Sequence, residues 1–443
     1  MNTYALFAEL FARLASKRGR AGVIVPTGIA TDATTAPFFR HLVESGRVRS
    51  LIGFSNQERL FPAVLSLMTF ALLTIGQGSG PPEFAFFLTD PRQLAEPERR
   101  FTLSAEDIAR INPNTKTAPV FRSRADAELT AKIYARVPVL VNEAVGSRQS
   151  AAGTEIDPTA DCQLPTADPG NPWGVSFMAM FHMSNDSGLF RTAAQLAEAG
   201  FVREGSDWVK GAGSRQSAVE KSNPTAAARL PTADAERYVP LYEAKMIHQF
   251  DHRWATYAAA GSGQSAVGTK NDPTADARLP TAESRDATLA EKQDPNFEPT
   301  PRYWVPEREV AARLSAKGWR RGWLMGWRDI ARTTDERTVI AAAFPRVGCG
   351  DTLLLKFPTV EDPRLFACNV ANLCSLALDY AARQKIGGTH LKYNVFKQLP
   401  VLPPSFYTPA DLAFIVPRVL ELTYTSWSMK PFADDIWQSA VDH

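Results

Sequence analysis

Apolar positions change period several times along this chain. Leu6, Phe7, Leu10, Phe11 and Leu14 recur at the three- and four-residue spacing of one helix face, and Gly22-Val-Ile-Val-Pro26 then reads as a short, fully buried strand. The pattern predicts a helix over Pro37–Ser45, a strand over Val48–Phe54, and apolar strand runs at Ser66–Ile75 and Phe84–Leu88. Helices between buried strands predict an α/β sheet covered on both faces. Roughly four strands are too few for a complete doubly wound domain, so the region reads as its C-terminal portion. Farther on, helices are predicted over Ala105–Ile111, Ala125–Arg136 and Thr192–Ala199, with a strand near Trp173–Phe181. Then follow a helix Pro306–Lys317, strands Gly322–Arg328, Arg337–Phe344 and Thr352–Phe357, and a long helix Pro363–Lys385 that buries Phe366, Val370, Leu373, Leu376 and Tyr380. A last helix starts at Pro409, with Thr408 as its cap and Asp411 matched to the dipole of the first turn.

Three stretches interrupt this pattern: Gly146–Asp168, Gly213–Asp234 and Gly261–Glu283 share a Gly-Ser-(Arg/Gly)-Gln-Ser-Ala start and a Leu-Pro-Thr-Ala end. Their irregular period rules out stacked solenoid repeats. Rich in Ser, Thr, Pro and Ala, they are expected to be flexible surface insertions.

Composition narrows the function little. The 443 residues suffice for two or three domains, and 49 Lys and Arg against 47 Asp and Glu give a formal charge of +2, so attraction to nucleic acid must come from local clusters. The cysteines, Cys162, Cys349, Cys368 and Cys374, form no Cys-x-x-Cys pair and suggest free thiols. No apolar run approaches the roughly 20 residues of a membrane helix, and the opening residues do not resemble a signal peptide. A soluble cytoplasmic protein with no membrane partner is expected.

Basic and aromatic residues cluster in the second half. Arg383–Pro404 (RQKIGGTHLKYNVFKQLPVLPP) ends a helical run in Arg383 and Lys385 and turns at Gly387-Gly388-Thr389. It continues as an expected strand carrying Lys392 and Lys397. Glycines there let backbone amides approach a phosphate, although they also suit a simple chain reversal. Tyr238–Tyr257 (YVPLYEAKMIHQFDHRWATY) offers Lys245, His248, His252 and Arg253 for phosphates or base edges. Two alternatives stay open there: His248 and His252 as metal ligands on one helix face, and Glu243-Ala-Lys245 as half of a metal-dependent nuclease site. In Pro301–Arg337, Trp304, Trp319, Trp323 and Trp327 alternate with Arg320, Arg321, Arg328 and Arg332. This is either a basic, stacking surface or an aromatic core with a solvated edge.

In wording and order these blocks resemble the large adenine-specific DNA methyltransferases of restriction-modification systems, in which methylation and target recognition are fused. Arg20–Asp32 (RAGVIVPTGIATD) is similar to the region after the catalytic motif, where a glycine-bearing loop borders the active site. Phe54-Ser55-Asn56 with Leu60-Phe61 looks like the segment whose aromatic helps hold an extruded base, which makes Phe61 the base-pocket candidate. The resemblance implies a partial methyltransferase sheet at 1–95, a helical connector at 96–145 and a mixed α/β target-recognition region at 169–430, the repeats being insertions. It implies double-stranded DNA as partner and S-adenosylmethionine as cofactor, and it singles out Lys245, His252, Arg253, Arg328, Arg332, Arg383, Lys385, Gly387, Gly388, Thr389 and Lys392 for DNA contact. The (Asn/Asp/Ser)-Pro-Pro-(Tyr/Phe/Trp) tetrapeptide of the family is missing, since Pro81-Pro82 lies in Gly-Pro-Pro-Glu and Pro403-Pro404 in Leu-Pro-Pro-Ser. No cofactor-binding glycine turn precedes it either, so no catalytic residue is assigned. The alternative readings are a DNA-binding specificity module for a separate methylase or nuclease subunit, or a non-functional remnant.

Overall fold

The structure is a computed structural model. It describes residues 3–32, 34–66, 68–78, 80–145, 168–211, 236–257, 283–331, 335–386 and 389–441. Apart from Asp168 and Glu283, the three repeats lie outside the described residues, as do Arg332, Gly387 and Gly388. The chain divides into two compact units. The first comprises Met1–Val175, Ile330–Val339 and Asn372–Thr408, and the second Ser176–Asp329, Ile340–Ala371 and Pro409–His443.

The first unit is built on a mixed sheet whose elements follow the hydrophobic pattern closely. Helix α1 (Thr3–Leu14) precedes β1 (Arg20–Pro26). Short α2 (Gly28–Thr31) and α3 (Ala36–Glu44) lead to β2 (Val48–Ser55), then β3 (Thr69–Gly76), β4 (Glu83–Leu88) and β5 (Phe101–Thr102). The strand order is β1-β3-β2-β4-β5. Strand β3 runs antiparallel to both β1 and β2, while β2 and β4 are parallel, so β1, β2 and β4 all point the same way. The fold class is α/β, as expected, but the sheet contains a reversed strand that periodicity cannot reveal, because strand direction is set by neighbours and not by residue spacing. On one face, Phe39, Leu42, Leu51, Leu73, Phe84 and Phe121 are fully buried. Helices α4 (Ala105–Ile111) and α5 (Arg124–Arg136) add Ile108, Ile111, Ala127 and Tyr134 to the same core. Ser104 and Ser123 cap these two helices by accepting from the amides of Asp107 and Asp126. On the other face a smaller cluster joins Ile52, Phe54, Ala85 and Leu88.

Three expectations are corrected. The long helix is interrupted, forming Arg364–Leu373 and Leu376–Arg383, and Ser375 begins the second by accepting from the amide of Leu378 at 3.2 Å. The strand expected from Arg337 starts at Ala341, because the Asp379 carboxylate takes the amides of Thr338 and Val339 at 2.7 and 2.8 Å. The run after the Gly-Gly turn is no strand: Tyr393–Phe396 is a short helix, closed by Phe396 N–H to Lys392 C=O at 2.9 Å.

The second unit holds β6 (Ser176–Met178), β7 (Val202–Glu204), β8 (Asp207–Lys210), β9 (Glu236–Tyr242), β10 (Ala255–Tyr257), β11 (Ser284–Asp286) and β12 (Tyr303–Pro306). It continues with β13 (Trp323–Arg328), β14 (Ala341–Pro345), β15 (Gly348–Cys349) and β16 (Leu353–Phe357). These form a β14-β13-β16-β6 sheet, a β12-β9-β8-β7 sheet with β15 alongside β9, and a β10-β11 ribbon. All four alternating tryptophans, Trp304, Trp319, Trp323 and Trp327, are buried, which decides for the aromatic core. Trp323 meets Trp319, Phe366 and Phe432 edge to face at 4.9 to 5.3 Å and donates its indole N–H to Asp435 at 2.8 Å. Trp323→Ala is expected to cost roughly 3–5 kcal/mol. Urea unfolding monitored by fluorescence checks this, and a loss below about 1 kcal/mol would show that the ring is not a keystone.

Candidate functional site

Because β1, β2 and β4 point the same way, their carboxyl ends share one rim of the first unit's sheet, and an open cleft of about 790 Å³ lies there. In open α/β sheets this rim is where ligands bind, since loops leaving parallel strands diverge and backbone polar groups face the gap. One wall is Pro26 at the end of β1, Thr27, and Gly28 at the start of α2, with Thr31 and Asp32 at its far end. Another is Gly53, Phe54 and Ser55 at the end of β2, with Phe86 and Phe87 of β4. The third is Lys385, Thr389, His390 and Lys392. Three segments far apart in sequence, each singled out above, thus line one cavity.

The first wall depends on Gly28. A methyl group there would sit 2.3 Å from an Asp32 carboxylate oxygen, so only glycine lets Asp32 fold over the loop. The loop is closed by Asp32 N–H to Gly28 C=O at 3.0 Å and by the Thr35 hydroxyl to the same carbonyl at 2.5 Å.

The second wall depends on a bulge. Ile52 pairs with Ala85 and Phe54 with Leu88, so Gly53 faces two residues, Phe86 and Phe87. Gly53 makes room for the Phe86 ring, which lies 2.7 Å from where its Cβ would stand. Phe87 takes the displaced place with φ +60°, a left-handed conformation that a bulky residue adopts only under constraint. Its half-buried ring lines the cleft, with the Arg122 guanidinium 4.3 Å from its centroid. Sequence reading absorbed Phe87 into an apolar strand; the glycine in the facing strand was the only signal of a bulge.

The base-pocket candidate Phe61 does not line this cleft. Its ring is edge-on to Phe70 at 4.9 Å, on a loop closed by Asn56. The Asn56 side chain, fully buried, donates to the carbonyls of Phe61 and Val64 at 3.0 and 2.9 Å and accepts from the Phe61 amide at 2.9 Å. Among the expected DNA contacts of this unit, Thr389 and Lys392 are exposed at the cleft. Lys385 lines it too, but its ammonium turns inward, donating to Ile111 C=O and to Asn112 Oδ1 at 2.7 Å and lying 4.7 Å from the Tyr134 ring centroid. Burial pushes this amine well below the ordinary lysine range. Arg383 is half-buried and spends one guanidinium nitrogen on the carbonyls of Asp335 and Glu336.

In the second unit, two expected DNA contacts are inside the fold. Arg253, 1% exposed, donates to the carbonyls of Lys292, Asp294, Phe297 and Thr425 at 2.7 to 3.1 Å and so ties three loop segments together. His252 is fully buried with Nε2 2.9 Å from Ser426 Oγ. Arg328 is turned onto the carbonyls of Lys245 and Ile247. Lys245 is exposed, its ammonium 4.5 Å from the Tyr257 ring centroid and 3.8 Å from Glu243. The metal alternative needed a helix, but residues 248–251 form a bridged turn, and the His248 ring lies tilted against Trp254 with centroids 4.2 Å apart. Among the described residues no group of three His, Cys, Asp or Glu is placed to hold a metal ion, and no single helix is long and apolar enough to cross a membrane.

No protein-family model matches the sequence, and no curated protein matches it either. Among solved structures, the chain aligns with the type IIG restriction endonuclease BpuSI at 10% identity and a TM-score of 0.23, over 99% of this chain and 49% of that one. This chain therefore spans about half the length of that enzyme.

Burial, and then the Arg253 charge, lower the His252 pKa from 6.5 to about 3, against the opposing pull of Asp251. The folded imidazole stays neutral where the unfolded one takes a proton, so its contribution is complete above pH 6.5 and declines as pH falls toward 3. Between pH 6.5 and 5 about 2 kcal/mol should be lost. Chemical denaturation of wild type and His252→Gln across that range checks this: the variant should be less stable but should lack this part of the slope, and equal slopes would refute the assignment.

Proposed function

We propose that this chain supplies the nucleic-acid-binding side of an adenine-specific DNA methyltransferase of a restriction-modification system, and that the cleft at the ends of β1, β2 and β4 receives an extruded base. What supports the reading is one convergence: the Pro26-Thr27-Gly28 loop, the end of β2 and the Lys385–Lys392 segment, three blocks that carry the resemblance, line the same cavity. The cavity has an aromatic side chain held toward it by a strained bulge, and a face such as Phe87 recovers part of the stacking energy that a base loses on leaving a duplex. Exposed Lys392 and Thr389 stand beside it as phosphate contacts.

The methionine end of S-adenosylmethionine carries both an ammonium and a carboxylate, so the Asp32 carboxylate over Gly28 neither excludes nor positions it. No step is assigned through the cofactor, and these residues are given recognition of the nucleic acid and not methyl transfer.

Fluorescence anisotropy with a labelled duplex tests the reading. Binding should weaken steeply with salt, and Lys392→Ala should lower the log-log slope by about one. Phe87→Ala should weaken binding to a duplex with a mismatched, easily extruded adenine by roughly ten-fold and leave that slope unchanged. Absence of duplex binding at low ionic strength overturns the proposal. Gly28→Ala displaces only a flexible carboxylate, so it should leave the melting temperature nearly unchanged while altering affinity; loss of folding would instead make Gly28 structural.

A further inference from the structure

We infer that the first unit pairs with a second copy of this chain along β1, making one continuous sheet across a two-fold axis. The inference does not depend on the methyltransferase reading. Strand β1 is the terminal strand of its sheet, bonded to β3 on one side only, so its other side carries backbone groups open to a ladder. Helix α1 leans on β1 rather than on the inner strands. On its buried face Ala8 and Ala12 join the main core.

A second, larger apolar face of α1 is left uncovered. Leu6, Phe7, Leu10, Phe11 and Leu14 form one stripe and are 42 to 70% exposed. A helix apolar on two faces is a buried helix, so something must cover this one. On the opposite face of β1, Ile24 is 59% exposed.

A second copy answers each of these features. A two-fold axis normal to the sheet sets β1 antiparallel to its mate and keeps both α1 helices on the same face, stripe against stripe. Centred on Val23, the pairing sets Ile24 of each copy over Gly22 of the other, where a side chain at position 22 would meet nothing of its own chain within 4 Å. The one acidic side chain of α1, Glu9, is already paired with Arg13, so no unmatched carboxylate is buried. The six apolar side chains leave on the order of 500 Å² exposed per copy. Two copies that covered them fully would remove about 1,000 Å² of apolar surface before the strand edges are counted, the lower bound for a specific interface.

Sedimentation equilibrium of the full chain should return twice 48.6 kDa. Leu10→Asp and, separately, Ile24→Lys should each weaken self-association by roughly a hundred-fold while retaining the wild-type melting transition of the separated chain. Val23→Cys in a Cys162→Ser background should cross-link two chains under mild oxidation, because residues on the axis of an antiparallel pair lie about 5 Å apart. A wild-type chain that stays monomeric at the highest attainable concentration, or a dimer that neither substitution weakens and Val23→Cys does not cross-link, overturns the inference. Assembly only with a different polypeptide overturns it as well.

Discussion

The first unit's cleft depends on β3 turning back between β1 and β2. The reversed strand holds β1 and β2 one strand apart and, being antiparallel to both, keeps their carboxyl ends on the same rim. The sheet is filled from both sides, by Leu51, Leu73 and Phe84 on one face and Ile52, Phe54 and Leu88 on the other, so a slip of one residue would exchange the two apolar sets. The cavity is in this sense a by-product of strand order, and side chains only furnish it. Gly53 admits Phe86, the resulting bulge turns Phe87, and Gly28 lets Asp32 fold back; each adjustment sits at a strand end, where the ladder tolerates irregularity.

Much of this was legible in the residues. The strands from Arg20 to Leu88 and the helices Ala105–Ile111, Arg124–Arg136 and Glu307–Ala316 follow their periodicity within a few positions, because each buries one regular face. The failures share a cause. Thr338 and Val339 were drawn away from a strand by a carboxylate supplied 40 residues later. The helix through Cys374 was broken by a serine cap, and Tyr393–Phe396 was too short a run for its period to be distinguished from a strand. Long-range side-chain partners are invisible to local pattern, and so was the direction of β3.

The chemistry was harder to read than the fold. Basic residues are natural candidates for an anion, yet both terminal guanidinium nitrogens of Arg253 donate to backbone carbonyls, and Arg328 and Arg383 donate to others. A guanidinium with five donors is as well suited to gathering loop carbonyls as to gathering phosphate oxygens, and sequence does not distinguish these uses. Burial decides. Lys385 illustrates the intermediate case, since its stem borders the cleft while its charge is spent on Ile111 and Asn112.

Asn56 carries a consequence for how narrowly residue identity is constrained. One amide nitrogen reaches the carbonyls of Phe61 and Val64 while its oxygen takes the Phe61 amide. Aspartate has nearly the same outline but no donor; its second oxygen would face two carbonyl dipoles out of contact with water. The span joining β2 to β3 therefore discriminates between two side chains that differ by a single nitrogen, and an amide hydrolysed at this position would act on that span as a mutation.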